Sequence, residues 1–343
     1  MLRKTKWKRI FLLLLLLLLF SVILAVAVGP AGIPLQAVLE IILSKIPVLR
    51  GLFNSTYPAS WEIIVMDIRF PRVLLGALVG ISLAVAGTCM QGLFKNPMAD
   101  PYIIGISSGA ALGAALSLVL QTTAVGTAAY YISPVFAFIG ALGAVLIVYN
   151  VARVGSFVPV QTLLLAGVAT ASLLSAVTSL LVYLYSKDVK SVLLWLTGSL
   201  GASKWTDVII VLPMCTVGVV ILFFFARDLN SMLLGEETAQ HLGTEVGKTK
   251  KIILVASSFI TAAAVATSGS IGFVGLVVPN LMRLLVGPDH RILIPSSALV
   301  GGIFLIWCDA IANTIIPVPV AIITALFGAP FFVYILWTQK KVE

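Results

Sequence analysis

Charged side chains are scarce in this sequence of 343 residues. Asp, Glu, Lys and Arg make up 10% of it, whereas a soluble domain has roughly 25% charged residues. Hydrophobic residues make up 60%, and several uncharged runs reach the length of a membrane-spanning helix. This composition excludes an ordinary soluble domain. The uncharged runs cover residues 10–29, 73–94, 102–152, 154–186, 208–226, 252–282, 292–308 and 310–339.

Cysteine and histidine are also rare, and this limits the chemistry that the chain can carry. Cys89, Cys215 and Cys308 lie far apart in apolar runs, without the spacing of a metal site. The two histidines, His241 and His290, fall in loops. The sequence has no paired catalytic carboxylates and no Gly-Lys-Ser/Thr phosphate-binding loop. We therefore expect that the chain is not an enzyme, binds no metal or cofactor and does not hydrolyse ATP.

The uncharged runs predict helices, because backbone polar groups in lipid must be hydrogen-bonded internally. We expect an all-α membrane protein of about ten crossings in one domain, residues 1–343, with a retained first helix. Residues 252–282 are too few for two full crossings, so they predict one full helix and one short helix. Two short apolar stretches, 35–43 and 192–200, are predicted to lie on the outer surface. The other predicted helices cover residues 10–29, 71–91, 103–120 (started by Asn96 and Pro97), 133–152, 161–185, 207–226, 293–313 and 320–337.

The formal net charge of +9 predicts topology rather than binding to nucleic acid. With both termini in the cytoplasm, 15 of the 22 Lys and Arg residues lie inside, as the positive-inside rule expects. The long charged segment 227–251 is then a cytoplasmic loop. Only Asp309 and Arg283 fall near helix interiors, and this shortage of intramembrane charge disfavours a transporter driven by protons or sodium.

Two blocks of residues at fixed spacings carry a resemblance to a known family. The first contains Arg69, Pro71, Arg72, Gly76, Gly80, Gly87, Gln91, Asn96, Pro97, Ala99, Pro101, Gly105 and residues 107–110. The second contains residues 269–279, among them Gly272, Gly275 and Pro279, then Arg283, residues 287–291, Gly328 and Pro330. Together they resemble the binding-protein-dependent ABC importer permeases for iron-siderophore, haem and vitamin B12. Ser270 and Asn280 depart from that pattern, which usually has proline and histidine there.

The resemblance implies a type II ABC importer permease in the cytoplasmic membrane of a prokaryote. Its implied partners are membrane lipid, a second permease copy (identical or a sister chain), two ABC ATPase subunits that hold ATP and Mg, and an extracytoplasmic binding protein. The fifth and tenth predicted helices of each copy, residues 161–185 and 320–337, would line the pathway. An iron(III)-siderophore is the first expectation for the cargo, and cobalamin and haem remain open.

Residues 233–243 have the features of a short capped helix within the charged loop. Glu236 and Glu237 suit its positive N-terminal end, His241 suits its last turn and Gly243 suits its stop. The residues alone are equally typical of an ordinary solvated helix. By resemblance the segment is the coupling helix that inserts into a groove of an ATPase subunit. The residues implied in coupling are Gly235, Glu236, Glu237, Ala239 and Gly243.

Arg69 and Arg72 lie just outside the second predicted helix. Three residues apart on a helical turn, their guanidiniums can face one direction and hold carboxylates, or they can anchor the helix at lipid headgroups. The residues do not separate these two interpretations. The resemblance implies the first: the pair would dock acidic residues of the binding protein.

Overall fold

The computed structural model describes residues 2–45, 57–120, 128–153, 159–185, 196–315 and 317–339. Within these ranges the chain forms helices joined by turns, as expected for backbone that must satisfy its own polar groups in lipid. The helices are α1 Leu2–Ala27, α2 Leu35–Ser44, α3 Ala59–Ile63, α4 Phe70–Phe94, α5 Ile106–Leu120, α6 Ala128–Ala152, α7 Val160–Tyr185, α8 Trp205–Phe224, α9 Ala226–Leu233, α10 Glu236–His241, α11 Val246–Ser268, α12 Val274–Val286, α13 His290–Thr314 and α14 Val320–Gln339.

Seven of the described helical segments are long and apolar enough to cross a membrane. Shorter apolar helices include α5, α12 and α14, which occupy the positions of predicted crossings three, eight and ten. Adding these three to the seven gives the expected number of about ten crossings, and the multi-helical membrane fold is confirmed. The remaining short apolar helix, α2, corresponds to the predicted surface segment at residues 35–43.

Helix α4 is the centre of the bundle, and it is buried on nearly all sides. It runs antiparallel to α13, and the two backbones meet where Gly80 faces Gly301. A Cβ atom built on Gly80 would lie 2.2 Å from the carbonyl oxygen of Gly301. On Gly87 it would lie 1.9 Å from the oxygen of Gly275 in α12. Small residues therefore permit a close helix approach that larger side chains would prevent.

The predicted break in residues 252–282 separates α11, which ends at Ser268, from α12, which begins at Val274. Its polar groups find partners inside the protein. The Ser199 N–H donates to the Ser268 carbonyl at 2.8 Å, and the Tyr102 hydroxyl donates to the Ile271 carbonyl at 3.0 Å. The prediction of one full helix and one short helix is confirmed.

The predicted start of the third crossing at Asn96 and Pro97 is wrong. The Asn96 side chain accepts from the Met98 N–H and closes a turn instead. A second pair of the same type, Asp100 and Pro101, caps a 3₁₀ turn, and helix α5 begins only at Ile106. Gly105 lies between them at φ +82°, in the left-handed region that interrupts a helix.

The glycine contact between α4 and α12 gives a test of the packing. We expect Gly87→Ala to cost about 1–3 kcal/mol, because the added methyl group meets a backbone carbonyl that cannot rotate away. Gly143→Ala is the matched control, since a Cβ there meets nothing within 4 Å and the loss of glycine favours the helix. Thermal unfolding of detergent-solubilised protein measures both. Equal melting temperatures for the two variants would contradict the packing.

Candidate functional site

Two short helices, α9 and α10, lie at one end of the bundle, which we call the inner end and which the charge distribution predicts to be cytoplasmic. Helix α9 buries Leu229 and Met232 against the bundle, and α10 buries Ala239 completely. Gly235 stands between the helices at φ +125°, and Gly243 follows α10 at φ +88°. Both conformations favour glycine, so the chain turns sharply before and after α10. For that reason the helix is shorter than residues 233–243.

The surface around α10 is apolar although it lies outside the long apolar helices. Leu234 is 70% exposed and Leu242 is 64% exposed, and Leu233 beside them is also exposed. Glu237, in the first turn of α10, is exposed as well. Exposed apolar side chains clustered beside a charged helix start are typical of a surface that another protein covers.

Side-chain contacts fix this segment to the bundle. Lys250 of α11 donates to Glu236 at 2.7 Å and forms an ion pair with it. The hydroxyl groups of Ser231 and Thr244 lie 2.9 Å apart, which ties α9 to the turn after α10. The two predicted coupling carboxylates therefore differ: Glu236 is held by α11, and Glu237 faces outwards.

The two predicted docking arginines lie at the opposite, outer end, and their guanidiniums do not share one direction. Arg69 is buried and donates to the carbonyl oxygens of Val26 and Ala27, both at 3.1 Å. Those carbonyls close the C-terminal end of α1, where a cation is favourable. Arg72 binds buried Asp309 of α13 through two hydrogen bonds of 2.7 and 2.8 Å.

The expectation of a common direction is therefore corrected. Residues three apart still differ by about 60° around a helix axis, enough for two long side chains to reach different acceptors. Docking of the binding protein by Arg69 and Arg72 stays a prediction.

Signature residues from both blocks meet in a polar cluster near the inner end of α4. Gln91 donates to the carbonyl of Gly275 at 3.3 Å and accepts from Arg283 at 2.8 Å. Arg283 also donates to Asn280 at 2.7 Å, and Asn280 donates to the carbonyl of Pro97 at 2.8 Å. The cluster holds α12 and the loop after α4 together. Asn280 takes part in this cluster, although histidine is usual at its position in the family.

The other signature residues occupy turns and close contacts. Pro101 and Gly275 touch, since a Cβ on Gly275 would lie 2.8 Å from the Pro101 ring, and Gly328 lies against Phe273 at the break. Pro71 is apart from these, at the outer end. The remaining positions are Asn96 in its turn, Gly105 before α5, Gly272 in the break, Pro279 within α12 and Pro330 within α14.

A cavity of ≈ 540 Å³ lies between the break and α14. None of the described residues that line it is ionisable, and Thr197 and Ser270 supply its hydroxyl groups. The pathway along predicted helices five (α7) and ten (α14) stays a prediction: residues of α14 line this cavity, and none of the described lining residues belongs to α7. They are Leu196, Thr197, Ser270, Ala321, Ile322, Ala325, Leu326, Ala329 and Pro330.

Two structurally decisive side chains were missed as site residues. The sequence shows Asp309 as an intramembrane carboxylate but does not identify its partner, although a lone carboxylate in an apolar helix implies a cation nearby and Arg72 lies at the same end. Tyr102 carried no signal at all, because its partner Ile271 is 169 residues away in sequence.

Comparison with known proteins agrees with this geometry. The model of the FecCD transport family matches residues 16–338. The chain is 49% identical to the cobalamin import system permease protein BtuC of Halobacterium salinarum, over 81% of this chain and 74% of that protein. It is 42% identical to the hemin transport system permease protein HmuU of Yersinia pestis, over 85% and 88% of the two chains.

A solved structure supports the same assignment. A metal-chelate type ABC transporter in an inward-facing conformation superimposes with a TM-score of 0.81 at 29% identity, covering 96% of this chain and 99% of that chain. The family match over nearly the whole chain and the shared fold together identify this multi-pass membrane protein as an ABC importer permease of the FecCD transport family.

Proposed function

We propose that this chain, with a second permease copy, carries a metal chelate inwards across the cytoplasmic membrane of a prokaryote. Two ABC ATPase subunits would bind the inner end and an extracytoplasmic binding protein the outer end, with both termini inside. One observation carries the proposal: α10 is a short helix fixed between two glycine turns and surrounded by exposed Leu233, Leu234 and Leu242. A fixed helix with an apolar rim is suited to fit a groove and to transmit force.

In this proposal ATP and Mg are held by the partner subunits and not by this chain. The sequence offers no phosphate-binding loop of its own, so energy has to enter through contact at the inner end. Hydrolysis in the partner would bias two arrangements of the permease pair, because only a differential contact with the two arrangements can shift their equilibrium.

The second copy is proposed from the open apolar face of α14. Leu326 and Phe327 are more than half exposed next to the cavity wall, as is Tyr334 further along. Lipid covers such residues in part, and a second copy would enclose the cavity between the two chains. A wall without ionisable groups would let a bulky chelate pass without holding it.

The relatives' names suggest a chelate as the cargo but differ in which chelate they name. The relative named for cobalamin is 49% identical and that named for hemin is 42% identical. A relative from Bacillus subtilis named for Fe(3+)-citrate is 39% identical. Cobalamin therefore comes first in the test, beside the iron(III)-siderophore that the sequence favoured and haem.

Proteoliposomes that contain this chain, its ATPase and its binding protein test the proposal. We expect ATP-dependent uptake of one chelate from a panel of cobalamin, haem and ferric siderophores. Glu237→Lys should lower uptake at least about tenfold, because a reversed charge beside the partner groove is repelled. Asp67→Lys, the same change on an exposed residue at the outer end, is the control and should leave ATPase co-purification intact. Uptake that follows a proton or sodium gradient without the ATPase would refute the proposal.

The outer end gives a separate test of docking by Arg72. Arg72→Met should lower stability by about 3–5 kcal/mol, since it leaves buried Asp309 without its cation. Exchanging the charges, with Arg72→Asp and Asp309→Arg together, should restore most of the melting temperature. If Arg72 also docks the binding protein, the exchanged variant folds but binds that protein at least about tenfold more weakly. Native affinity in the exchanged variant would show that Arg72 only joins α4 to α13.

A further inference from the structure

A single side chain of α9 links the inner loop to the start of α13. The Asn230 amide nitrogen donates to Asp289 at 2.8 Å. Its oxygen accepts from the backbone N–H of His290 at 2.9 Å and lies 2.9 Å from Nδ1 of the same residue. Since that oxygen can only accept, Nδ1 of His290 must carry the proton.

His290 is the buried member of this link. It is 2% exposed, and its Nε2 atom has no hydrogen-bond partner among the described residues. Nε2 faces α4, where a Cβ atom on Gly92 would lie 2.5 Å from it. A buried polar atom without a partner costs free energy and needs an explanation. The ring is held in a narrow slot between α4 and α9, and its one hydrogen bond fixes its orientation.

Asp289 is also held by Arg291, so the carboxylate that accepts from Asn230 has a fixed position. Its carboxylate caps α13 by accepting from the Arg291 N–H at 3.1 Å and also accepts from the Arg291 guanidinium at 2.6 Å. That guanidinium holds the pKa of Asp289 well below its usual range, so the carboxylate is a charged acceptor for Asn230. The guanidinium also lies 5.7 Å from the ring centre of Trp7 in α1.

We propose that Asn230 and His290 form a latch that transmits a displacement of α9 and α10 to α13 and α4. They are positioning residues, and the inference rests on the proposed function. The apolar contacts of Leu229 and Met232 hold α9 on the bundle but fix no direction, because apolar contacts are not directional. Hydrogen bonds from one side chain to two successive residues fix both the position and the rotation of α9.

The latch complements the Glu236–Lys250 ion pair. That pair joins α10 to α11, whereas the latch joins α9 to the central pair of helices, α4 and α13. Loss of the latch should leave α10 able to bind the ATPase while its movement is no longer passed to the centre of the bundle.

The test measures cargo imported per ATP hydrolysed by the full complex in proteoliposomes. Asn230→Leu keeps the number and branching of the side-chain heavy atoms and removes all three hydrogen bonds of Asn230. We expect the ATPase to co-purify and ATP hydrolysis to stay within about twofold, while cargo per ATP falls about tenfold. Thr216→Ala is the control, because this exposed hydroxyl bonds only within its own helix in the described contacts and its loss should not change the ratio.

A double-variant cycle separates a latch from two independent structural effects. His290→Phe removes only the ring hydrogen bond, so it should lower the ratio less than Asn230→Leu does. The two together should be no worse than Asn230→Leu alone, since that variant already lacks the ring hydrogen bond. If these variants do not fold, Asn230→Asp provides the test of the latch. It keeps an acceptor for His290 but places a second carboxylate beside Asp289. It should lower the ratio about threefold.

A native ratio in Asn230→Leu, or in Asn230→Asp where the others do not fold, would overturn the latch. Loss of ATPase co-purification together with uptake would overturn it too, because the residues would then only shape the docking surface. The native complex serves as the reference for the proposed function itself. If it shows no ATP-dependent uptake, that function fails; if it does and the variants match it, only the latch fails.

Discussion

The backbone of residues 270–272 lies among apolar helices without helical hydrogen bonds, and neighbouring elements supply partners for it. Lipid offers no donors or acceptors, so non-helical backbone at membrane depth must be enclosed by protein or by a water-filled cavity. The Tyr102 hydroxyl and the Ser199 N–H supply partners, and the hydroxyl of Ser107 pairs with that of Ser270 at 2.5 Å. Helix α4 approaches the start of α12 closely for a separate reason, because Gly87 has no Cβ to meet the carbonyl oxygen of Gly275.

The same break lies at one end of α11, and the proposed coupling segment, residues 233–243, lies at the other. Lys250, in the first turns of α11, holds Glu236, while Ser268 ends the helix beside the cavity wall. The 23 residues of α11 span about 34 Å at a rise of 1.5 Å per residue. Helix α11 therefore extends from the surface proposed for the ATPase to the cavity proposed for the cargo. In the proposed function, α11 is therefore the element that both sites share.

Local patterns predicted the helices well because lipid removes alternatives: a long uncharged run has to be a helix. They failed at the start of the third crossing. Asn96 and Pro97 predict a helix start, but these residues form a turn, and the left-handed backbone at Gly105 directly precedes α5. The sequence alone could not predict this, since the turn is held by the contact between Pro97 and Asn280 of α12.

Contacts between residues far apart in the sequence could not be predicted, for a different reason. Three-residue spacing gave Arg69 and Arg72 a common direction, but each guanidinium is directed by an acceptor far along the chain, at Val26 and at Asp309. Likewise the short helix within residues 233–243 is predicted from its own caps and glycines, whereas the hydrogen bond between Asn230 and His290 depends on how α9 meets α13.

The two ends of the α4–α13 pair differ in the strength of the contacts that hold them. At the outer end, removing one partner of the buried Arg72–Asp309 ion pair costs about 3–5 kcal/mol, and separating the helices there would expose the same penalty. At the inner end, the hydrogen bonds by which Asn230 attaches α9 to α13 are weaker: about 0.5–1.5 kcal/mol for each bond to His290 and about 1.5–3 kcal/mol for the bond to charged Asp289. A displacement that enters at the inner end can therefore rearrange local contacts while α4 and α13 stay joined outside. In the proposed latch, a displacement of α9 and α10 would therefore move the inner end of the pair, while its outer end stays joined by Arg72 and Asp309.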